Sequence, residues 1–463
     1  IFLAAFPMLI ISAIALQLIL VVQSQSLKAT PERASFLRRA QQSSTSQDLC
    51  DPDVKQIHGY YNGQKGRKLF FWFFESRSNP ADDPIILWLN GGPGCSGMTG
   101  VFLEIGPCIL NDNGTATDLN PYSWNARSNL LFVDQPTGAG FSEGPFVTNG
   151  TFEATDDLYT ALQEFFQKHT QYKEKDFYVG GESYGGHFVP AIAQKIHREN
   201  IKGAEPRIEI RGIAIGNGYM NPAIQVLSYP EMAYQSGTAP DVITYAEYLT
   251  LEREMVACSR NVTRCLAGDS RHGDGAVPFD TSQGFAFPAL RFTNSQTSGW
   301  VVEAIPPTSN APIASVSLFA DSTCEDANFC RFMGAVVPLR RRGISMFDMR
   351  ITQKLSGPGP AIPCTLPGRD DALDRYLNQK EVQRKLGVNK RFQSGSPAGD
   401  FGRDALFPFE TLLPELLEAE IRVLLFDGDQ DFVCNWIGFE RVANEIDWPG
   451  RAAFVRAPRQ EYE

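Results

Sequence analysis

Histidine is scarce. The 463 residues hold five, His58, His169, His187, His197 and His272, and none follows position 272. No H-E-x-x-H, C-x-x-C or phosphate-cradling P-loop occurs, so metal and nucleotide chemistry have no foothold and no cofactor or metal is expected. Gly216-Asn-Gly218 lacks the third glycine of a dinucleotide fingerprint and reads as a turn. Basic charge is also short. With 42 Lys+Arg against 53 Asp+Glu the net charge is −11 and the pI near 5.1, which argues against a nucleic-acid partner, because phosphates call for a concentrated basic surface. What is present is ordinary for a globular protein: 43% hydrophobic and 21% charged residues support a sizeable core and exclude wholesale disorder. At ~150 residues per domain the length allows roughly three domains, or one large α/β unit with insertions.

Residues Ile1–Val22 are apolar except for Ser12 and Gln17, and Ser24 and Ser26 then offer a signal-peptidase-like site. The run is also long enough to anchor the chain in a bilayer, and Lys28, Arg33, Arg38 and Arg39 would hold its following side cytoplasmic. Nine cysteines and three acceptor sequons, at Asn113, Asn149 and Asn261, favour a secreted or luminal protein. We therefore expect 1–24 to be a signal peptide or anchor, with membrane association only if it stays uncleaved, and the Ser/Gln-rich 25–48 to be a linker or propeptide. The chain starts at Ile1 without Met or a basic leader region, so its start is expected to be incomplete.

From about Lys68-Leu-Phe-Phe-Trp-Phe-Phe-Glu75 onward, short apolar runs end in Gly- or Pro-rich turns: Pro84–Asn90, Asn129–Pro136, Asp176–Gly181, Ile208–Gly216 and Arg422–Asp427. Helical periodicity lies between some of them, with Leu158, Leu162, Phe165 and Phe166 in Phe152–His169 and Phe188, Ile192 and Ile196 in Tyr184–Asn200. Buried strands alternating with amphipathic helices predict an α/β fold, a mostly parallel central sheet covered on both faces. The rhythm breaks from about Tyr229 to Ser345, which reads as an inserted cap subdomain dividing a first core part, 49–228, from a second, 346–463.

Gly181-Glu-Ser183-Tyr-Gly185 matches G-x-S-x-G, with an apolar strand leading in and an amphipathic helix leading out. That is the strand–turn–helix of a nucleophile elbow, so Ser183 is the predicted nucleophile. Two backbone donors are needed for the developing oxyanion. Tyr184 should provide one, and Gly92, in Asn90-Gly-Gly-Pro-Gly94 after the strand Pro84–Asn90, the other. A catalytic triad on this kind of sheet runs Ser, then Asp or Glu, then His. The strand Arg422–Asp427 leads to Gly428-Asp-Gln-Asp431, where Asp429 and Asp431 compete for the acid's role. A calcium loop over Asp427–Asp431 fails, since its sixth position is Phe432 and its twelfth Gly438.

These stretches resemble the serine carboxypeptidases of the α/β-hydrolase fold, nearest the fungal secreted and vacuolar members. The resemblance rests on Trp88-Leu-Asn-Gly-Gly-Pro-Gly-Cys95-Ser-Gly, Asn120-Pro-Tyr-Ser-Trp124-Asn, Phe132-Val-Asp-Gln-Pro-Thr-Gly-Ala-Gly-Phe-Ser142, Gly181-Glu-Ser-Tyr-Gly-Gly-His-Phe-Val-Pro190, Ile215-Gly-Asn-Gly and Asp429-Gln-Asp-Phe-Val-Cys-Asn-Trp436. It implies hydrolysis of the last peptide bond of a peptide or protein with a free C-terminus, through an acyl-enzyme. It also implies that Trp88, Asn90, Glu104 and Glu182 bind the substrate's α-carboxylate, the two glutamates sharing a proton, so that activity favours acidic pH. It assigns the triad acid to Asp431 and makes His187, four residues after Ser183, structural. The family's histidine lies in a Gly-His motif after a further strand that the 463 residues do not reach. The chain is therefore expected to be truncated at both ends, with final strand, helix and general base missing, and to be inactive and poorly soluble by itself.

The resemblance further implies a free Cys434 and a Cys95–Cys364 disulfide. Cys258 and Cys265 share a helix face, so nested rungs Cys258–Cys330 and Cys265–Cys324 would staple the insertion, with the local pairs Cys258–Cys265 and Cys324–Cys330 as the alternative. Cys50–Cys108 takes what is left. Two other functions remain open: an acyltransferase on the same fold, or a catalytically dead binding or protective protein. The destination is the secretory pathway, secreted or vacuolar.

Overall fold

Lys68–Phe74 shows how this sequence builds its core. Leu69, Phe71 and Phe73 alternate with Phe70, Trp72 and Phe74, and all six are buried, because a strand sends successive side chains to opposite faces of its sheet. A computed structural model describes residues 49–267, 290–295, 299–304, 339, 342–352, 364–366, 368–395 and 399–460. The readings of 1–24 as signal or anchor and of 25–48 as linker lie outside them.

The strands are β1 (Gln56–Asn62), β2 (Lys68–Phe74), β3 (Ile85–Leu89), a small hairpin of β4 (Cys108–Leu110) and β5 (Thr117–Leu119), β6 (Asn129–Val133), β7 (Phe177–Ser183), β8 (Ile210–Gly218), a second small hairpin of β9 (Leu290–Ser295) and β10 (Gly299–Ala304), and β11 (Arg422–Phe426). Seven of them form one sheet in the order β1-β2-β6-β3-β7-β8-β11. β1 and β2 are antiparallel additions; β6, β3, β7, β8 and β11 run parallel. The predicted strands all lie in this sheet, within a few residues of their expected ends.

Helices cover both faces. On one, α2 (Gly150–Lys168) and α3 (Gly185–Ile201) bury Leu158, Leu162, Phe165, Phe188, Ile192 and Ile196 against Leu69, Phe71, Phe73, Leu87 and Leu89. On the other, α1 (Met98–Leu103) and, after α4 (Tyr245–Ala267), α5 (Arg369–Leu377) bury Met98, Phe102, Leu373 and Tyr376 against Phe70, Trp72, Phe74, Trp88 and Phe132. The described part of 229–345 includes α4, which builds a separate core from Tyr229, Met232, Leu251, Met255 and Cys258. Phe432 and Ile437 join that core from beyond β11, so it sits against the loop that carries Asp431. The parallel order reverses around β3, and open α/β sheets form their crevice at the carboxyl ends of strands beside such a reversal. That is where β3, β7 and β11 deliver Asn90, Ser183 and the Asp431 loop.

Cys50–Cys108 and Cys95–Cys364 are disulfide-bonded and Cys434 is free and buried. Cys258 and Cys265 are also disulfide-bonded. Seven residues along one helix separate them by ~10.5 Å, beyond the ~7 Å Cα reach of a disulfide, so the local pair Cys258–Cys265 is excluded. Their partners, and thus the proposed rungs, lie outside the described residues.

Candidate active site

Ser183 closes β7 with φ of +57°, a left-handed conformation uncommon for any residue with a Cβ. Strand β7 ends there and α3 begins two residues later. The Ser183 carbonyl is held by the Tyr219 N–H at 2.7 Å, just past the end of β8. The bend leaves Ser183 half-buried rather than sealed in the core. Gly91 lies directly against it: a Cβ there would come within 2.5 Å of the Tyr184 nitrogen and 2.6 Å of the Ser183 Cβ. The Gly91 N–H donates to Glu182 Oε1 at 3.1 Å. Gly92, the next residue, has φ of +107°, a conformation that favours glycine.

Tyr184 is fixed at both ends of its side chain. Its ring stacks on His187 at 4.2 Å between centroids, and its hydroxyl donates to Asp404 Oδ2 at 2.8 Å. His187 in turn places Nδ1 2.6 Å from the Tyr219 carbonyl oxygen, in a stack with the Tyr219 ring.

The four residues expected to hold a carboxylate converge on one network. Trp88 Nε1 donates to Glu104 Oε2 at 2.8 Å, and Asn90 Nδ2 donates both to Glu104 Oε1 at 2.7 Å and to Glu182 Oε1 at 3.3 Å. Asn90 is oriented for this by the Gly100 N–H, which donates to its Oδ1 at 3.0 Å. One amide thus bridges two acids. Burial first, and then the charge of Glu182, hold the Glu104 carboxyl well above the usual range, and burial raises Glu182. Two carboxyls this close favour a single shared proton.

Asp431 sits in the loop after β11. Its Oδ1 accepts the Cys434 N–H at 2.7 Å, and burial, with the Glu182 charge adding to it, pushes its carboxyl up to about 8. The loop is tied to the sheet by Asn217, at the end of β8, whose Nδ2 donates to the carbonyls of Gly428 and Cys434, each at 3.2 Å, while its Oδ1 accepts the Gly428 N–H at 2.9 Å. Asn217 adjoins Gly218, which pairs with Ser183 across β7 and β8, so the loop of the acid and the elbow of the serine are joined through the end of β8. Asp429, the competitor, is exposed, and its carbonyl accepts from Thr238 Oγ1. The stretch Gly216-Asn217-Gly218, expected as a turn, closes β8 instead, and sequence reasoning missed Asn217 as the tie; its signal was a lone polar residue between glycines at a strand's carboxyl end.

Of the four described histidines, His58 is on β1, four strand positions from β7, or ~19 Å at ~4.8 Å per strand. His169 bonds Tyr61 Oη of that same strand, at 2.6 Å. His197 lies twelve residues along α3 from Gly185, ~18 Å at 1.5 Å per residue. His187 has Nδ1 engaged by Tyr219. Among the described residues no group of three or more His, Cys, Asp or Glu side chains is arranged to hold a metal ion.

The sequence profile of the serine carboxypeptidase family matches residues 46–463. The chain belongs to that family. Its curated relatives include carboxypeptidase Y homolog A of Arthroderma gypseum, 32% identical over 423 residues that cover 90% of this chain and 66% of the relative. Carboxypeptidase Y homolog A of Paracoccidioides brasiliensis is 32% identical over 428 residues, covering 89% and 65%. The chain thus spans about two thirds of the length of these carboxypeptidase relatives. The crystal structure of Kex1(delta)p, a prohormone-processing carboxypeptidase from Saccharomyces cerevisiae, superposes with a TM-score of 0.65 at 22% identity, covering 87% of this chain and 79% of that one. The fold is the α/β-hydrolase fold, a mostly parallel sheet with helices on both faces.

Proposed function

We propose that the complete protein is a serine-type carboxypeptidase that removes the C-terminal residue of peptides and proteins at acidic pH. The observation that carries this reading is the Asn90-bridged pair Glu104–Glu182, with Glu182 adjacent in sequence to Ser183. A hydrolase acting on internal bonds has no use for two buried acids sharing a proton beside its nucleophile. An exopeptidase does: the protonated acid donates to the free α-carboxylate, and the scissile carbonyl, one residue back, falls at Ser183. As pH rises and the pair loses its proton, two anions face the substrate anion and binding weakens.

Ser183 Oγ attacks the carbonyl carbon and its proton passes to a base. The oxyanion forms at the N–H groups of Tyr184 and Gly92. The base returns the proton to the departing amino group, the C–N bond breaks, and water then cleaves the Ser183 ester by the reverse proton route. Asp431 orients the base, and a cationic partner would draw its carboxyl back down from about 8. None of the four described histidines is placed for this duty. The Cys50–Cys108 and Cys95–Cys364 disulfides and the exposed Asn113 and Asn149 acceptors support passage through the secretory pathway; Asn261 is half-buried in α4. Release of the free C-terminal amino acid from an N-blocked dipeptide by the complete protein tests the reading; acyl transfer without release, or inertness, would overturn it.

A further inference from the structure

The motif Asn120-Pro-Tyr-Ser-Trp124-Asn contributes nothing to the machinery above, yet it is buried polar material: Asn120, Ser123 and Asn125 are 4%, 2% and 0% exposed. Asn125 Nδ2 donates to Asp51 Oδ2 at 3.2 Å, while Asn120, Ser123 and Trp124 aim donors at one neighbouring stretch. Asn120 Nδ2 donates to the Glu104 carbonyl at 3.4 Å and the Gly106 carbonyl at 2.9 Å. The Ser123 hydroxyl and the Trp124 N–H each donate to the Ile105 carbonyl at 3.0 Å, and the Asn120 N–H donates to the Pro107 carbonyl at 2.9 Å. Four consecutive carbonyls, 104 to 107, are therefore caught by one short turn. The stretch needs holding. Glu104 ends α1 with φ −128° and ψ −107°, off both the helix and strand regions. Gly106 is folded so tightly on α1 that a Cβ would lie 2.1 Å from the Val101 carbonyl oxygen. The Trp124 ring also meets Trp88 edge to face at 5.5 Å, beside the indole N–H that binds Glu104.

We infer that the Asn120–Trp124 turn is the positioning element of the carboxylate site: Asn120 and Ser123 fix the backbone of Glu104 so that its carboxyl reaches Trp88, Asn90 and the end of a peptide together. The inference rests on the proposed carboxypeptidase reading and extends it to residues that touch no substrate. Arg77 carries the frame outward, donating to the Asn120 and Pro107 carbonyls at 2.8 Å and to Asp51 Oδ2 at 2.7 Å. Asp51 follows Cys50, whose disulfide to Cys108 closes the other side of the same stretch. The loss of Asn120 should blur the placement of one carboxyl and leave the rest of the cleft in place.

The test is calorimetric titration of the 463-residue chain with an N-blocked dipeptide and with its C-terminal amide, in a Ser183→Ala background at pH 5. The background should prefer the acid. Adding Asn120→Ala should cut that preference at least tenfold while amide affinity stays within threefold, and adding Ser123→Ala should cut it by a smaller factor. If Asn120→Ala does not fold by its melting curve, Ser123→Ala decides. Folded variants that keep the background's preference, or that lose acid and amide affinity equally, overturn the inference and leave the carboxylate reading standing. A background that does not discriminate acid from amide overturns both.

Discussion

Ser183 holds φ of +57° with a Cβ attached, a conformation that costs on the order of 1–2 kcal/mol. The strain exists because the elbow must turn the hydroxyl out of the sheet. Replacing Ser183 by Gly should therefore give a more stable protein than replacing it by Ala, by about 1 kcal/mol after glycine's larger unfolded-state entropy is subtracted, as read from denaturant unfolding. Equal stabilities would show that the bend carries no strain. Gly91 makes the opposite case. The Cβ of a Gly91→Ala variant would meet the Tyr184 nitrogen and the Ser183 Cβ at 2.5 and 2.6 Å, so the oxyanion site must move. We expect hydrolysis by the complete protein to fall about 10²-fold, the cost of one misplaced oxyanion donor, and a wild-type rate would contradict the close approach. At this scale Ser183 was legible because G-x-S-x-G sits between a strand and a helix. The partners of Glu104 were not, because a lone glutamate after a short helix reads as a solvated charge until Trp88 and Asn90 are folded onto it; only the family resemblance named it.

The element most exposed to trouble is β11. Among the described residues it pairs only with β8, at the end of the sheet order, and leaves Leu424 57% and Phe426 37% exposed. Unpaired N–H and C=O groups beside apolar side chains template aggregation, and a charge there blunts it. Leu424→Lys in the 463-residue chain should raise the soluble fraction in a concentration series, with an unchanged melting temperature; unchanged solubility would show that the edge is not the limiting surface. The run Arg422–Asp427 was legible as a strand from its apolar residues, but its edge position only through the family resemblance, because sheet order is fixed by pairing and not by local pattern. Gly216-Asn217-Gly218 reads as a turn but forms the end of β8, with Asn217 at φ of +39°, and the bonds of Asn217 to Gly428 and Cys434 join positions more than two hundred residues apart.

Across the whole molecule, buried acids dominate the electrostatics. Burial raises Glu104 and Glu182 and pushes Asp134 to about 6, Glu410 to about 7, and Asp427 and Asp431 to about 8. In the unfolded chain all of them titrate near pH 4. Between about pH 4 and 8 the native state therefore binds more protons than the unfolded state, and stability falls as pH rises through that window. Glu410 alone, 7% exposed with Asn221 Nδ2 on its Oε1, accounts for about 3 kcal/mol at most of that fall. Glu410→Gln should make urea unfolding at pH 5 and pH 8 more alike, and an undiminished difference would place the effect elsewhere. The layered α/β architecture was legible because buried parallel strands read as short apolar runs; the approach of Glu104, Glu182 and Asp431 was legible only through the family resemblance, because it depends on which strands lie side by side.

The central claim is that Glu104 and Glu182 share a proton that a peptide's free carboxylate uses. Titrating the Ser183→Ala chain and its Glu104→Gln derivative with an N-blocked dipeptide from pH 5 to pH 8 tests it most directly. The parent should lose affinity steeply as pH rises, and the derivative should lose much less of it, because the amide donates at every pH and carries no charge. Parallel curves for the two proteins would contradict the account.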